Sequence, residues 1–107
     1  MASTVGPSLS TGSIAGTGSN IDLRIVGFKP RRVVVYNVTS GDMLTWLDTM
    51  GDGKGRKQLA AGTASFLATL GITPLAQDTA GNAGFRIGTD ADINVAAEIL
   101  HWEAWSE

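Results

Sequence analysis

The sequence predicts one all-β domain with a flexible N-terminal arm. Three observations predict it: a central hairpin pattern, several short segments of alternating apolar and polar residues, and turn-rich spacers of glycine and proline between them. At 107 residues the chain has the common size of a single domain.

The central segment, residues 27–50, predicts a β-hairpin. Pro30 suits the first position of a strand because it lacks an amide donor. Residues 31–39 are rich in β-branched side chains, a turn follows at 40–42, and residues 43–50 form the return strand. Both faces of the first strand begin apolar, so we expect it to be central and covered on both sides.

Residues 1–20 are predicted to form the flexible arm, and residues 21–107 the β-domain. Twelve of the first nineteen residues are Gly, Ser or Thr, a composition that buries too little apolar surface to order by itself. Two interpretations stay open: a floppy tail, or an arm that drapes over a neighbouring subunit with Val5, Leu9 and Ile14 as apolar anchors.

The remaining segments are predicted mainly as short strands separated by loops. Strands are expected at 21–26, 58–70, 72–77, 85–87 and 93–105, and loops or turns at 51–57 and 78–84. Pro74 makes 72–77 an expected edge strand. Segment 58–70 could instead form a short helix, and so could 93–105. As a strand, 93–105 places seven residues on one face: Ile93, Val95, Ala97, Ile99, His101, Glu103 and Trp105.

Composition excludes several classes of protein. The absence of cysteine rules out disulfides and thiolate metal sites. A net charge of −2 argues against generic nucleic-acid binding. We find no apolar run long enough for a membrane helix and no signal-peptide pattern, so neither a membrane span nor export is expected.

The two halves of the chain differ in charge. Residues 1–57 hold seven basic and four acidic groups, and residues 58–107 hold one basic and six acidic groups. Either folding mixes the two halves, or a basic side of the molecule meets an acidic neighbour during assembly.

No residue pattern predicts catalysis, a metal or a cofactor. Asp90, Asp92 and Asn94 have the spacing of a calcium loop, but Val95 replaces the required glycine. Their more ordinary interpretation is a set of loop residues that bond to backbone amides. His101 is the only histidine and has no nucleophile partner. We therefore expect a protein that is not an enzyme.

The three tryptophans, Trp46, Trp102 and Trp105, allow three interpretations: core packing, a subunit interface or a stacking platform for sugar. Their position near the C-terminus makes Trp102, Trp105 and His101 our candidates for a self-interface.

Two groups of residues resemble small virion structural proteins of tailed bacteriophages, over about residues 21–105. The first comprises Gly27-Phe28-x-Pro30-Arg31-x-Val33, Asn37-x-Thr39 and Trp46-x-Asp48-x-Met50. The second comprises Gly84-Phe85-x-Ile87-Gly88-Thr89-Asp90-Ala91-Asp92-Ile93-Asn94, Ala97-Glu98 and Trp102.

The resemblance implies a compact antiparallel β-sandwich or jelly-roll fold and the role of a capsid decoration, or cement, protein. Such a protein is made in the bacterial cytoplasm and bound to the capsid exterior. Its expected partners are the major capsid protein and copies of itself, often as a trimer. Lys29, Arg31, Arg32 and the apolar arm positions are the candidate capsid contacts. A tail or head-fibre adhesion module that binds host glycans through tryptophan is the alternative.

Overall fold

A computed structural model describes residues 8–106 and shows one antiparallel sheet that curls into a half-barrel. The strands are β1 (Leu9–Ala15), β2 (Ile21–Leu23), β3 (Arg32–Asn37), β4 (Met43–Leu47), β5 (Lys54–Gln58), β6 (Ala64–Leu75), β7 (Gly84–Ile87) and β8 (Ile99–Trp105). A 3-10 turn, Asp48–Met50, follows β4. The spatial order is β1-β8-β3-β4-β5-β6-β7-β2, and the predicted antiparallel all-β class is confirmed.

The central hairpin forms as predicted. β3 lies between β8 and β4, with Val35 opposite Leu44. The turn is closed by the Gly41 amide, which donates to the Asn37 carbonyl (2.7 Å), and Gly41 adopts a φ of 87° that favours glycine. The inner face of β3 is fully buried, but on the outer face Val34 is buried while Tyr36 is exposed. The prediction that both faces of β3 are covered therefore holds for the inner face and only in part for the outer face.

The concave side of the sheet encloses the core. Its buried members are Ile21, Leu23, Val26, Val33, Val35, Leu44, Trp46, Ile72, Phe85, Ile87, Ile93, Leu100, Trp102 and Ala104. Phe85 meets Trp102 edge-on at 5.7 Å between ring centroids, a favoured aromatic geometry. Every strand from β2 to β8 except β5 contributes to this cluster, so the curled sheet closes around one continuous core.

The C-terminal segment is a strand, but it begins at Ile99 instead of residue 93. The amides of Ile93 and Asn94 both donate to the Asp90 carbonyl, and Ala97 has a φ of 67°. Residues 90–98 are therefore held in successive turns that an extended strand cannot adopt.

The predicted arm is wrong for Leu9–Ala15. This segment is strand β1 and pairs with β8 along its whole length, from Leu9 opposite Trp105 to Ala15 opposite Ile99. Backbone pairing with β8 supplies the stabilisation that the side chains lack. Gly12 lies so close to the Trp102 ring that a Cβ would approach it to 2.8 Å. Val5 lies outside the described residues.

The predicted loop at 51–57 is also wrong, because Lys54–Gln58 forms β5. β6 is one twelve-residue strand that joins parts of two predicted segments. The register of its pairing with β5 shifts between Lys54 and Gly55, which leaves an irregular stretch in β6. After this stretch, Pro74 pairs with Phe85 on β7 and has no partner on β5. The proline therefore lies at a local edge of the sheet.

The turn predicted at 78–84 is present, and the strand predicted at 85–87 is β7. The strand predicted at 21–26 is shorter, since β2 ends at Leu23. None of the helices within residues 8–106 has the length and apolarity that a bilayer crossing requires.

Candidate interaction surface

The convex side of the sheet presents a continuous surface, which we name the outer face. It consists of the alternate, outward residues of β1, β8, β3, β4, β5 and β6, together with Val38, which follows β3. In register these residues are Leu9, Thr11, Ser13, Ala15, Trp105, Glu103, His101, Ile99, Arg32, Val34, Tyr36, Val38, Leu47, Thr45, Met43, Arg56, Gln58, Phe66 and Ala64.

The outer face is unusually apolar for a solvent-facing surface. Among the described residues, eight large hydrophobic side chains are exposed, and six of them lie here, between 40% and 59% exposed. These six are Leu9, Tyr36, Val38, Leu47, Phe66 and Ile99. The other two are Ile25, in the turn after β2, and Leu70, in the irregular stretch of β6. Contiguous exposed apolar surface is typical of a binding site for another macromolecule.

The polar side chains of the outer face are ordered by one another. The Arg32 guanidinium lies 4.6 Å above the centre of the Trp105 ring, a cation–π contact across neighbouring strands. His101 Nε2 lies 3.0 Å from Glu103 Oε2, and the His101 ring lies 6.3 Å from that of Tyr36. These contacts hold the Arg32, His101 and Glu103 side chains in defined positions on the outer face.

The structure brings four predicted contact residues together on the outer face. Leu9 and Arg32 were candidates for capsid contact, whereas His101 and Trp105 were candidates for a self-interface. Because Leu9, Arg32 and Trp105 occupy adjacent positions in one row, the two predicted groups form a single surface.

The other candidate residues lie elsewhere. Trp102 is 2% exposed in the core, so its predicted role in a self-interface is wrong. Ile14 packs against the same core. Arg31 Nε donates to Asp48 Oδ2 at 2.9 Å. Lys29 and Arg31 line a cavity of about 260 Å³ at one end of the sheet, together with Trp46, Asp48, Asp52, Pro30 and Pro74.

The carboxylates of the calcium-like segment hold a lysine. Lys57 Nζ lies 3.1 Å from Asp90 Oδ1 and 2.7 Å from Asp92 Oδ2. The hydrogen bond to Asp92 is the main reason that the pKa of Lys57 is raised. Asp90 Oδ2 also accepts the Asp92 amide, as the loop interpretation expects. Within the described part of the chain, no group of His, Cys, Asp or Glu is arranged to hold a metal ion.

Opposite charges of the two halves pair with each other within one molecule. Lys57 pairs with the two carboxylates described above. In addition, Arg86 Nε on β7 lies 2.7 Å from Asp22 Oδ1 on the neighbouring strand β2. The hydrogen bond from Arg86 holds the pKa of Asp22 below its usual value. These pairs join residues before and after position 57, so folding mixes the two halves and the interpretation of one basic side is not supported.

Two buried asparagines, Asn37 and Asn94, hold the loops in place. The Asn37 side chain accepts the amides of Thr39 and Ser40 and donates to the Ile93 carbonyl and Glu98 Oε1. It therefore fixes both the hairpin turn and the 93–98 segment. The position of Asn37 on the apolar face of β3 indicates that its side chain is buried.

Asn94 has the same role on the other side of that segment. Its Oδ1 accepts the amides of Thr17 (2.9 Å) and Gly18 (3.2 Å), and its Nδ2 donates to the carbonyls of Ser19 and Gly88. All four hydrogen-bonding positions of the amide are filled. Asn94 thereby ties the β1–β2 connection to the loop after β7.

Comparison of the chain with protein families, curated proteins and solved structures found no match. What the protein does must therefore be inferred from its own surface chemistry and from the resemblance of its sequence motifs.

Proposed function

We propose that the protein is a capsid decoration protein of a tailed bacteriophage, bound to the exterior of the major capsid protein lattice. In this proposal the outer face is the surface that contacts the capsid. The observation that carries the proposal is the clustering of exposed apolar side chains on one rigid sheet face, since such a face suits a broad protein surface better than a small ligand.

The chemistry of the outer face supports a protein partner. Its apolar side chains surround Arg32 and Trp105, and both Arg and Trp are enriched among the residues that dominate protein interfaces. Arg32 is also the one of the three predicted basic contacts that lies on this face. Lys29 and Arg31 lie at the adjoining end, beside a cavity that is also lined by Asp48 and Asp52.

A sheet face also suits repeated contact with a shell. β-Strands hold side chains at fixed positions, so little conformational entropy is lost on binding. Many copies bound to one lattice act together, and each contact can then be weak. Linked weak contacts of this kind stiffen a shell without requiring any one site of high affinity.

The glycan-binding alternative is less well supported. Trp46 and Trp102 are buried, and the Trp46 indole Nε1 donates to the Gly51 carbonyl at 2.8 Å. Trp105 remains half-buried on the outer face, with Arg32 already over its ring. One partly covered ring is a small platform for sugar stacking.

The test is binding to emptied, expanded phage heads, measured by co-sedimentation. Val38→Lys and Leu47→Lys each place a charge on the outer face, and Ile25→Lys is the matched control because Ile25 is exposed away from it. We expect each outer-face variant to bind at least about tenfold more weakly, which corresponds to about 1.4 kcal/mol, while the control binds like the original protein.

Equal binding by all three variants would refute the assigned surface. If the original protein fails to bind expanded heads at any concentration, the decoration function itself is refuted. Specific hits on a glycan array that disappear in Trp105→Ala would then favour the adhesion module.

A further inference from the structure

Within residues 8–106, strand β1 has one side of its backbone unpaired. In the sheet order β1 is terminal, and among residues 8–106 only β8 pairs with it. The Ser106 amide donates to the Ser8 carbonyl, and at the other end Gly16 exchanges backbone hydrogen bonds with Glu98 and Ala97. Even-numbered residues therefore face β8, so Leu9, Thr11, Ser13 and Ala15 direct their N–H and C=O groups to the open edge.

The open edge of β1 carries none of the usual protection. Its seven residues, LSTGSIA, include no charge and no proline, although edge strands are commonly blunted by lysine, proline or short length. The opposite edge of the sheet differs, because β2 has only three residues and carries Asp22, which pairs with Arg86. The two edges of one sheet are thus unequal, and β1 is the edge that can accept another strand.

We propose that β1 pairs with β1 of a second copy of this chain, antiparallel and about a two-fold axis at Gly12. This register overlaps all seven residues of both strands. Leu9 then lies opposite Ala15 of the second copy, and Thr11 opposite Ser13. Since all of these residues direct their backbone groups outward, the four pairs form about eight inter-chain hydrogen bonds.

A second copy suits this edge for three reasons. The strand is uncharged, so no like charges meet across the axis. The residue on the axis is Gly12, which has no side chain to clash with its own copy. A two-fold symmetric pair also limits the assembly to two copies, because both β1 edges are then paired. Among the described residues, the sheet edges that stay exposed are the short, charged β2 strands.

The dimer would also extend the outer face. Leu9, Thr11, Ser13 and Ala15 all lie on that face, so pairing joins the outer faces of the two copies into one surface. The resemblance implies a trimer, whereas the open edge specifies a two-fold dimer. The inference does not depend on the proposed capsid binding, because it concerns the isolated protein.

The first test is oligomeric state across a dilution series, by sedimentation equilibrium. Thr11→Pro removes an amide that faces the open edge and leaves the hydrogen bonds to β8 intact. Thr11→Lys places like charges near the axis, and Thr79→Lys, in the exposed turn after β6, is the matched control of equal charge. We expect a monomer–dimer equilibrium that both Thr11 variants weaken at least about tenfold, with the control unchanged.

A protein that stays monomeric at all concentrations would overturn the proposal, and so would a dimer that both Thr11 variants leave intact. Circular dichroism and thermal unfolding show whether each variant folds. If Thr11→Pro fails to fold, Thr11→Lys alone decides the outcome.

The second test uses the absence of native cysteine to determine the register. In the proposed pairing, Thr11 and Ser13 of different copies lie about 5.5 Å apart between Cα atoms, within disulfide reach. Thr11 and its own counterpart lie diagonally, at about 7–8 Å. A mixture of Thr11→Cys and Ser13→Cys proteins should therefore cross-link faster than either alone. Equal rates in all three samples would overturn the two-fold axis at Gly12.

Both tests use isolated protein without phage heads. Failure of the dimer therefore leaves the proposed capsid binding untouched, and failure to bind heads leaves the dimer untouched.

Discussion

Replacing Lys57 with methionine is expected to destabilise the fold by about 3 kcal/mol. The Lys57 and Asp90 side chains are only 13% and 9% exposed, and Asp92 is 46% exposed. Removing one partner of a buried ion pair costs about 3–5 kcal/mol because the remaining charge is left unpaired. The exposure of Asp92 places the expected loss at the lower end of that range. For a domain of this size the melting temperature should fall by about 10–20 °C.

Urea unfolding followed by tryptophan fluorescence measures this loss, since Trp46 and Trp102 are buried and become solvated on unfolding. Arg86→Met is the matched control, because it also removes a strand cation that bonds to a carboxylate, but at an exposed site. We expect the control to shift the midpoint only slightly. Adding Asp90→Asn to Lys57→Met should restore part of the lost stability, which a double-mutant cycle would show as coupling.

The contribution of Lys57 should also depend on pH. Its pKa is raised in the folded state above the usual value of 10.5, so the protonated amine is favoured by folding. This stabilisation is fully present below the unfolded-state pKa and is lost as pH rises through the folded-state value. The difference between the original protein and Lys57→Met should therefore shrink in alkaline solution above pH 10.5. The reasoning would be refuted by a loss of stability below about 1 kcal/mol, which is the range of exposed ion pairs. It would also be refuted by a loss that stays constant through that pH range.

Three further substitutions, and a control for one of them, test the backbone and the loop contacts by urea unfolding. Asn94→Ala should cost about 2–4 kcal/mol because four hydrogen bonds are lost; a loss below about 1 kcal/mol would mean that water replaces the amide. Ala97→Gly should stabilise the fold by about 1 kcal/mol, since Ala97 has a φ of 67° that favours glycine. The control Ala96→Gly should destabilise the fold by about 0.5–1 kcal/mol. Effects of the same sign for the two substitutions would contradict this prediction. Gly84→Ala should cost about 2 kcal/mol or more, because its Cβ would meet the Leu23 carbonyl; unchanged stability would show that the strands can separate there.

The elements that the sequence predicted well are those in which local pattern and tertiary environment agree. Strand β3 is rich in β-branched residues and is followed by a glycine turn, and its two faces were assigned correctly because its inner residues are part of the core. In β8 the shared face of Ile99, His101, Glu103 and Trp105 was predicted, but its outward direction was not. The first residue of β8 was not predicted either, because the turns before it depend on Asn37 and Asn94, whose hydrogen-bond partners are distant in sequence.

The elements that the sequence predicted poorly are those in which tertiary pairing overrides composition. Leu9–Ala15 has the composition of a disordered segment and becomes a strand because β8 offers a full ladder of hydrogen bonds. Lys54–Gln58 resembles a solvated loop and becomes a strand because Lys57 meets carboxylates that lie more than thirty residues further along the chain. The sequence of either segment alone does not show the strand or the carboxylates with which it pairs.

The residues that carry the sequence resemblance are mostly structural. Asn37, Asp90 and Asn94 hold loops together through buried hydrogen bonds, and Trp46 and Trp102 fill the core. These motif residues therefore specify a fold, and a fold by itself does not specify a function. No outer-face residue is a specified motif position: Arg32, Val38 and Leu47 occupy unspecified positions inside the motifs, and the other outer-face residues lie beside or outside them. The proposed capsid contact thus depends on side chains that the motifs do not fix, so a related protein could keep the motifs and bind a different lattice. Binding assays with outer-face variants, more than sequence comparison of the motifs, will distinguish a shared fold from a shared partner.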